Sequence, residues 1–171
     1  MSETANQNEF AQWFAGSQVT ANNGKPMLVY HGTYARFDTF DMDKARDGAH
    51  FFTDNPQHAG RFGVVSAYAL SMSNPLVINQ EYLEALWDEE HPDGEQDDRY
   101  LLPRDFVSVC VARAREAGHD GLIIRQMGDM DVEVDMYLPL DPGQIRRVGG
   151  PALEQPAAKL NKTTNEEGPA L

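Results

Sequence analysis

Short apolar runs of strand length recur along this chain with only a few helical segments between them, and that rhythm restricts its fold more than any other feature. Met27-Leu28-Val29-Tyr30-His31 reads as a buried strand, set off by the Asn22-Asn23-Gly24 turn and stopped by Gly32. Ala49-His50-Phe51-Phe52-Thr53 is a second short strand. Val65 to Met72 alternates polar and apolar residues as a half-buried strand does, and Asn74-Pro75-Leu76-Val77-Ile78 follows it. Asp120-Gly121 enters a buried strand through Leu122-Ile123-Ile124, and Val132 to Leu140 is the last strand, closed by the turn Asp141-Pro142-Gly143.

Helical signals are sparser. Phe10, Trp13 and Phe14 are three and four apart, which predicts a short amphipathic helix over about Asn8 to Ala15. Asp54-Asn55-Pro56 has helix-start chemistry and opens a helix through about Phe62. Tyr82, Leu83, Leu86 and Trp87 mark another, and Pro103 opens a longer one with an apolar face of Phe106, Val109, Cys110 and Ala114, ending at Gly118. Between these two, Asp88 to Arg99 is acidic, contains Pro92 and Gly94, and reads as a solvated loop. Strands interleaved with helices without regular βαβ spacing predict an α+β domain with antiparallel pairing. Beyond Gly149-Gly150 the chain has few large apolar residues and no periodicity, so the expected division is a domain over 1–149 and a disordered tail over 150–171.

Charge narrows the partners. The formal net charge is −13, which argues against a general grip on nucleic acid or an anionic membrane, and Arg146-Arg147 is the one adjacent basic pair. Cys110 is the single cysteine, so no internal disulfide forms. Met1 to Asn8 is polar, without the basic start and apolar run of a signal peptide, and no stretch approaches the roughly 20 apolar residues of a membrane span. A cytoplasmic protein is expected. His31, His50, His58, His91 and His119 show no short ligand spacing with an acid, so no metal site is expected. Neither a Gly-x-Ser-x-Gly elbow nor a P-loop occurs.

Two groups of residues carry a chemical suggestion. His31 ends an apolar strand, with Gly32 leaving its backbone open to a flat ligand and Thr33 adding a hydroxyl beside the imidazole. Phe51 and Phe52 alternate onto opposite strand faces, so that one packs inward and the other faces a cleft, with Phe62 on the next helix as an opposite aromatic wall.

Tyr30-His31-Gly32-Thr33, then Phe51-Phe52-Thr53-Asp54, then Tyr137 through Ile145 resembles the ADP-ribosyltransferase superfamily, and within it the phage and mobile-element branch found in polyvalent proteins. Trp13 to Ser17, Asn23 to Pro26, Asn74 to Ile78 and Gly118 to Ile123 are similar to that branch as well, so the resemblance runs from about Phe10 to Val148. It implies a fold of split antiparallel sheets flanked by helices, with NAD as substrate. By the same resemblance, which extends to the His–Tyr–Glu pattern of the poly(ADP-ribose) polymerases, His31 holds a ribose hydroxyl, Gly32 pairs its backbone with the nicotinamide carboxamide, and Thr33 stands beside it. Phe51 takes the place of the family's strand tyrosine, keeping the stacking face without the hydroxyl, and Phe62 stacks on the other side.

The departure is at Met136, which stands where the family has its catalytic glutamate. Loss of one positioned electrostatic partner typically costs on the order of 2.7–4 kcal/mol of barrier. Asp135 is the first substitute, with Glu133 and Gln144 behind it; strand parity puts Glu133 and Asp135 on the face opposite Met136, so a bulge is needed to bring Asp135 into its place. The resemblance implies an NAD-dependent mono-ADP-ribosyltransferase acting on a macromolecular acceptor, protein in preference to nucleic acid, as an effector of a phage or mobile element. Two alternatives stand beside it: a non-catalytic module that binds NAD or a partner, and an NAD glycohydrolase.

Overall fold

The computed structural model describes residues 3–37, 39–90, 102–129 and 131–148. Helix α1 (Glu3–Phe14) starts five residues earlier than Asn8 and stacks Phe10, Trp13 and Phe14 along one face, with Phe10 and Phe14 ring centroids 6.1 Å apart. Strand β1 (Val29–Thr33) is followed by β2 (Phe52–Thr53), α2 (Pro56–Ala59), β3 (Val64–Leu70), β4 (Pro75–Asn79), α3 (Gln80–Glu90), α4 (Leu102–Glu116), β5 (Gly121–Asp129), β6 (Val132–Pro139) and β7 (Ile145–Arg147). The expected loop overlaps the end of α3; its remainder from residue 91, like the expected tail over 150–171, lies outside the described residues. No helix among the described residues is long and apolar enough to cross a membrane.

The strands lie side by side in the order β4-β5-β6-β2-β1-β3-β7. One half, β4-β5-β6, joins the other, β2-β1-β3-β7, through the short antiparallel pairing of Phe52 with Tyr137 and Thr53 with Met136, continued by the Asp54 N–H donating to the Asp135 carbonyl. Beyond Thr53 the Asp54 side chain stands in for a strand neighbour, its Oδ1 accepting from the Asp135 N–H at 3.1 Å. All pairings are antiparallel except β4 with β5. That pair is parallel because α3 and α4 lie in the connection between them, and a parallel neighbour requires such a crossover.

Each face of the sheet has its own core. On one, α3 and α4 cover β4-β5-β6, burying Leu83, Leu86, Val107, Cys110, Leu122, Ile124, Met136 and Leu138. On the other, Phe52, Tyr68, Ile123 and Tyr137 pack with Val19 and Val29 under the loop residue Phe40. Leu122, Ile123 and Ile124 face alternately into both cores, which is why that stretch is a continuous apolar run.

Several local outcomes differ from the sequence expectation. The second strand, expected over Ala49 to Thr53, is Phe52–Thr53 alone. Gly32 does not stop β1, since the strand runs on to Thr33, paired with Val64 of β3. The expected helix through Phe62 is a single turn, α2, capped by Asn55 Oδ1 on the Gln57 and His58 N–H groups, and then tightens into a 3-10 turn over Gly60–Phe62. β7 is an additional edge strand, paired with β3 through Ile145, Arg146 and Arg147.

Candidate functional site

His31 lies near the end of β1, half-buried among rings. Its imidazole centroid is 5.2 Å from Phe52, 5.3 Å from Phe40 and 6.0 Å from His50, the last two edge-on. Nδ1 is 2.7 Å from the Phe51 carbonyl oxygen. A carbonyl only accepts, so Nδ1 carries the proton, and in the neutral ring Nε2 presents a lone pair. Burial holds the His31 pKa below the ordinary imidazole value, opposed by the Phe51 carbonyl and reinforced by His50. The ring is therefore a neutral hydrogen-bond acceptor at Nε2, the form that receives a hydroxyl proton.

Gly32 is a glycine for a reason different from the one expected. A Cβ there would lie 1.8 Å from the Ala59 carbonyl oxygen, so α2 fills the face that a flat ligand was expected to approach. β2 pairs with β1 only at Tyr30, so along the β2 side the backbone edge of Gly32 extends beyond the described pairing. Thr33 is half-buried, and its Oγ1 accepts from the Ala35 N–H at 3.0 Å, shaping the turn out of β1.

Phe51 and Phe52 do part to opposite faces: Phe52 enters the core beneath His31, and the half-buried Phe51 packs against the α3–α4 core. Phe62 follows α2, edge-on to His58 at 5.4 Å, and His58 is itself buried with Nε2 3.3 Å from Asp129 Oδ2. Tyr30, Thr53 and Met136 are in register and share a face, which is also the face α2 covers at Gly32. His31 points to the other face with Phe52 and Tyr137. The sequence-derived residues are thus divided around the seam between the two half-sheets, with Gly32, Phe51 and Met136 on one side and His31 on the other.

Met136 is buried, 6% exposed, within the α3–α4 core. The bulge that Asp135 needed is present, but in the neighbouring strand: the β5–β6 register shifts by one residue between Ile124 and Met127, where Gln126 has φ 54°. Asp135 fastens that bulge. Oδ1 accepts from the Gln126 N–H at 2.9 Å, and Oδ2 pairs with Arg125 Nη1, which also donates to the Tyr137 hydroxyl at 3.0 Å. Asp135 therefore stays on the face opposite Met136. Burial pushes the Tyr137 phenol up to about 12, with Arg125 offsetting part of the effect.

Glu133 is exposed opposite Gly128 on the hairpin. Gln144 holds the backbone together instead of facing a ligand. Its Oε1 accepts from the Leu140 and Asp141 N–H groups and its Nε2 donates to the Ser71 carbonyl, with Asp141 completing a capping box. The amide is thereby occupied by the turn between β6 and β7. The sequence suggests that Phe37 and Phe40, flanking Asp38 and Thr39 in a loop, pack inward, and Phe40 does so, but nothing in the spacing shows that Phe40 and His50 stand edge-on to the His31 ring.

Among curated proteins and among solved structures nothing matches the chain. A family model does, described as ADP-ribosyltransferase in polyvalent proteins, over residues 21–153. That span takes in β1 to β7, the seam between the half-sheets and His31 with its enclosing rings, and the α+β architecture agrees with such a fold. The chain belongs to the ADP-ribosyltransferase family of polyvalent proteins.

Proposed function

We propose that this domain binds NAD at the seam and transfers ADP-ribose to a macromolecular acceptor, a protein side chain in preference to a nucleic acid. The observation that carries the reading is the state of His31: Nδ1–H fixed on the Phe51 carbonyl, Nε2 left as an acceptor for a ribose hydroxyl. The backbone edge of Gly32 next to it suits a carboxamide, which needs one donor and one acceptor in a plane. Phe51, on the Gly32 side of the seam, supplies apolar surface there, and Phe62 is the proposed wall opposite it.

The reaction breaks the nicotinamide–ribose bond, the electron pair leaves with nicotinamide, and the oxocarbenium-like ribose is captured by the acceptor's nucleophile. Positioning and electrostatic stabilisation supply most of what such a step requires. In this reading Asp135 provides the negative charge near the seam, moderated by Arg125. An acidic chain repels nucleic acid, which favours protein as the acceptor. A role as an effector of a phage or mobile element, acting in the cytoplasm, accords with the polyvalent-protein family.

Burial of Met136 at the glutamate position favours a second reading, a module that binds NAD without turning it over. Incubation with NAD and detection of released nicotinamide tests the first against the second. Label recovered on protein indicates transfer, free ADP-ribose alone indicates hydrolysis, and bound but intact NAD indicates the binding module.

A further inference from the structure

The sheet face that carries His31 extends across two more strands. His31 of β1 stands directly opposite Ser66 of β3, and Tyr68 of β3 stands opposite Arg147 of β7. Opposed residues in an antiparallel pair share a face, as do residues two apart on one strand, so His31, Ser66, Tyr68 and Arg147 project to the same side. Arg147 Nη2 donates to Ser66 Oγ at 2.8 Å. Ser66 is 9% exposed and Arg147 is exposed, so the hydroxyl anchors the guanidinium while the rest of it faces solvent.

Three polar capacities result in one row. His31 Nε2 accepts, the Ser66 hydroxyl accepts from Arg147 and retains its own proton to donate, and Arg147 keeps further N–H donors and a full charge. Among the described residues the partner of Arg147 is this neutral hydroxyl and not a carboxylate, in contrast with Arg125 and Arg146, each paired to an acid. In a chain of net charge −13 a phosphate approaching this face is repelled overall, and a local unneutralised guanidinium is what overcomes that repulsion. A fixed planar donor fork also matches phosphate geometry.

We infer that Arg147 and Ser66 form an anion-binding pair beside His31 that holds a phosphate of the dinucleotide pyrophosphate; the identity of the ligand rests on the NAD reading above. In this arrangement Arg147 and Ser66 position the pyrophosphate while His31 takes the adjoining ribose.

Calorimetry on the full chain with NAD, ADP-ribose, nicotinamide and inorganic pyrophosphate tests this. Arg147→Gln keeps a donor for Ser66 and removes the charge; it should weaken NAD, ADP-ribose and pyrophosphate by about tenfold or more while nicotinamide affinity holds within about twofold. Arg147→Lys should recover part of the loss, and Ser66→Ala should give a smaller one. In the wild-type protein, pyrophosphate should shift the NMR signals of Ser66, Arg147 and His31 first, a measurement independent of how any variant folds. Equal NAD and pyrophosphate binding by wild type and Arg147→Gln would overturn the pair and leave the NAD reading standing. Pyrophosphate bound through Arg147 without any binding of NAD or nicotinamide would support the pair and sink the NAD reading. A wild-type protein that binds neither pyrophosphate nor ADP-ribose overturns the pair outright.

Discussion

The side chain of His31 and the main chain of Phe51 are joined by a 2.7 Å hydrogen bond that fixes which imidazole nitrogen meets a ligand. It also ties the end of β1 to the residue entering β2, next to the short seam that joins the two halves of the sheet. Ring orientation and local architecture are therefore set by one contact.

His31→Ala is expected to weaken NAD binding or turnover by about tenfold, equal to about 1.4 kcal/mol, a modest demand on one positioned hydrogen bond. pH gives an independent check. With its folded pKa depressed by burial, His31 favours the native state when neutral, so this stabilisation is present above the ordinary value of about 6.5 and is lost as pH falls through the folded pKa. NAD affinity should be flat from about pH 8 to 6.5 and decline only below that, as Nε2 acquires a proton and ceases to accept. An affinity loss centred above that window, or one unchanged in His31→Ala, would refute the assignment.

Gly32→Ala tests the packing at the same strand end. The new Cβ would meet the Ala59 carbonyl oxygen at 1.8 Å, backbone against backbone, so α2 has to move. A cost of about 3 kcal/mol, at the upper end of overpacking, would lower Tm by roughly 6–12 °C in a protein of this size. Thermal melting of the variant within a degree or two of wild type would show that α2 yields easily.

The apolar runs of β1, β5 and β6 and the split of Phe51 from Phe52 were legible in the sequence because period and burial are local properties. Much of the candidate site was not. Ile145-Arg146-Arg147 carries no strand pattern of its own, and it becomes β7 only because β3 offers it an edge. The bulge at Arg125–Gln126 depends on Asp135, ten positions away from Arg125, and no spacing rule announces it. Gln144 likewise resembles a ligand-binding residue until its amide is found holding the Leu140, Asp141 and Ser71 backbone groups. Polar side chains used to close irregular backbone leave no periodic trace.

Tyr137 should reveal itself in alkali. Its phenol is pushed up to about 12 by burial, so the folded state keeps a proton that the unfolded chain releases near 10. The stabilisation is complete below the unfolded value and is lost as pH rises through the folded one, with a slope of up to about 1.4 kcal/mol per pH unit in that window. Tyr137→Phe should lack this slope in urea unfolding measured across the same range. Matching slopes in the two proteins would place the phenol in water.

Asp135 decides between enzyme and binder. If its carboxylate stabilises the ribose cation, Asp135→Asn should lower nicotinamide release by about tenfold or more with little change in NAD affinity, the pattern of an interaction made mainly in the transition state. The same carboxylate holds the Gln126 N–H and Arg125, so the variant should also lose about 1–3 kcal/mol of stability, and turnover has to be measured well below its Tm. Arg125→Gln separates the two effects. It breaks the ion pair but leaves the charge, so turnover should hold or rise if the carboxylate acts on ribose, and should fall alongside Asp135→Asn if only the bulge matters. Met136→Glu restores the family pattern, yet it inserts a carboxyl into the α3–α4 core, so it should destabilise the fold by about 2–4 kcal/mol unless that core opens toward the seam. A gain in nicotinamide release despite that cost would show that the seam does open beside this position. Wild-type turnover in Asp135→Asn and Glu133→Gln alike would remove both acids from the chemistry. No nicotinamide release from any of these proteins, with NAD still bound, would establish the domain as a binding module.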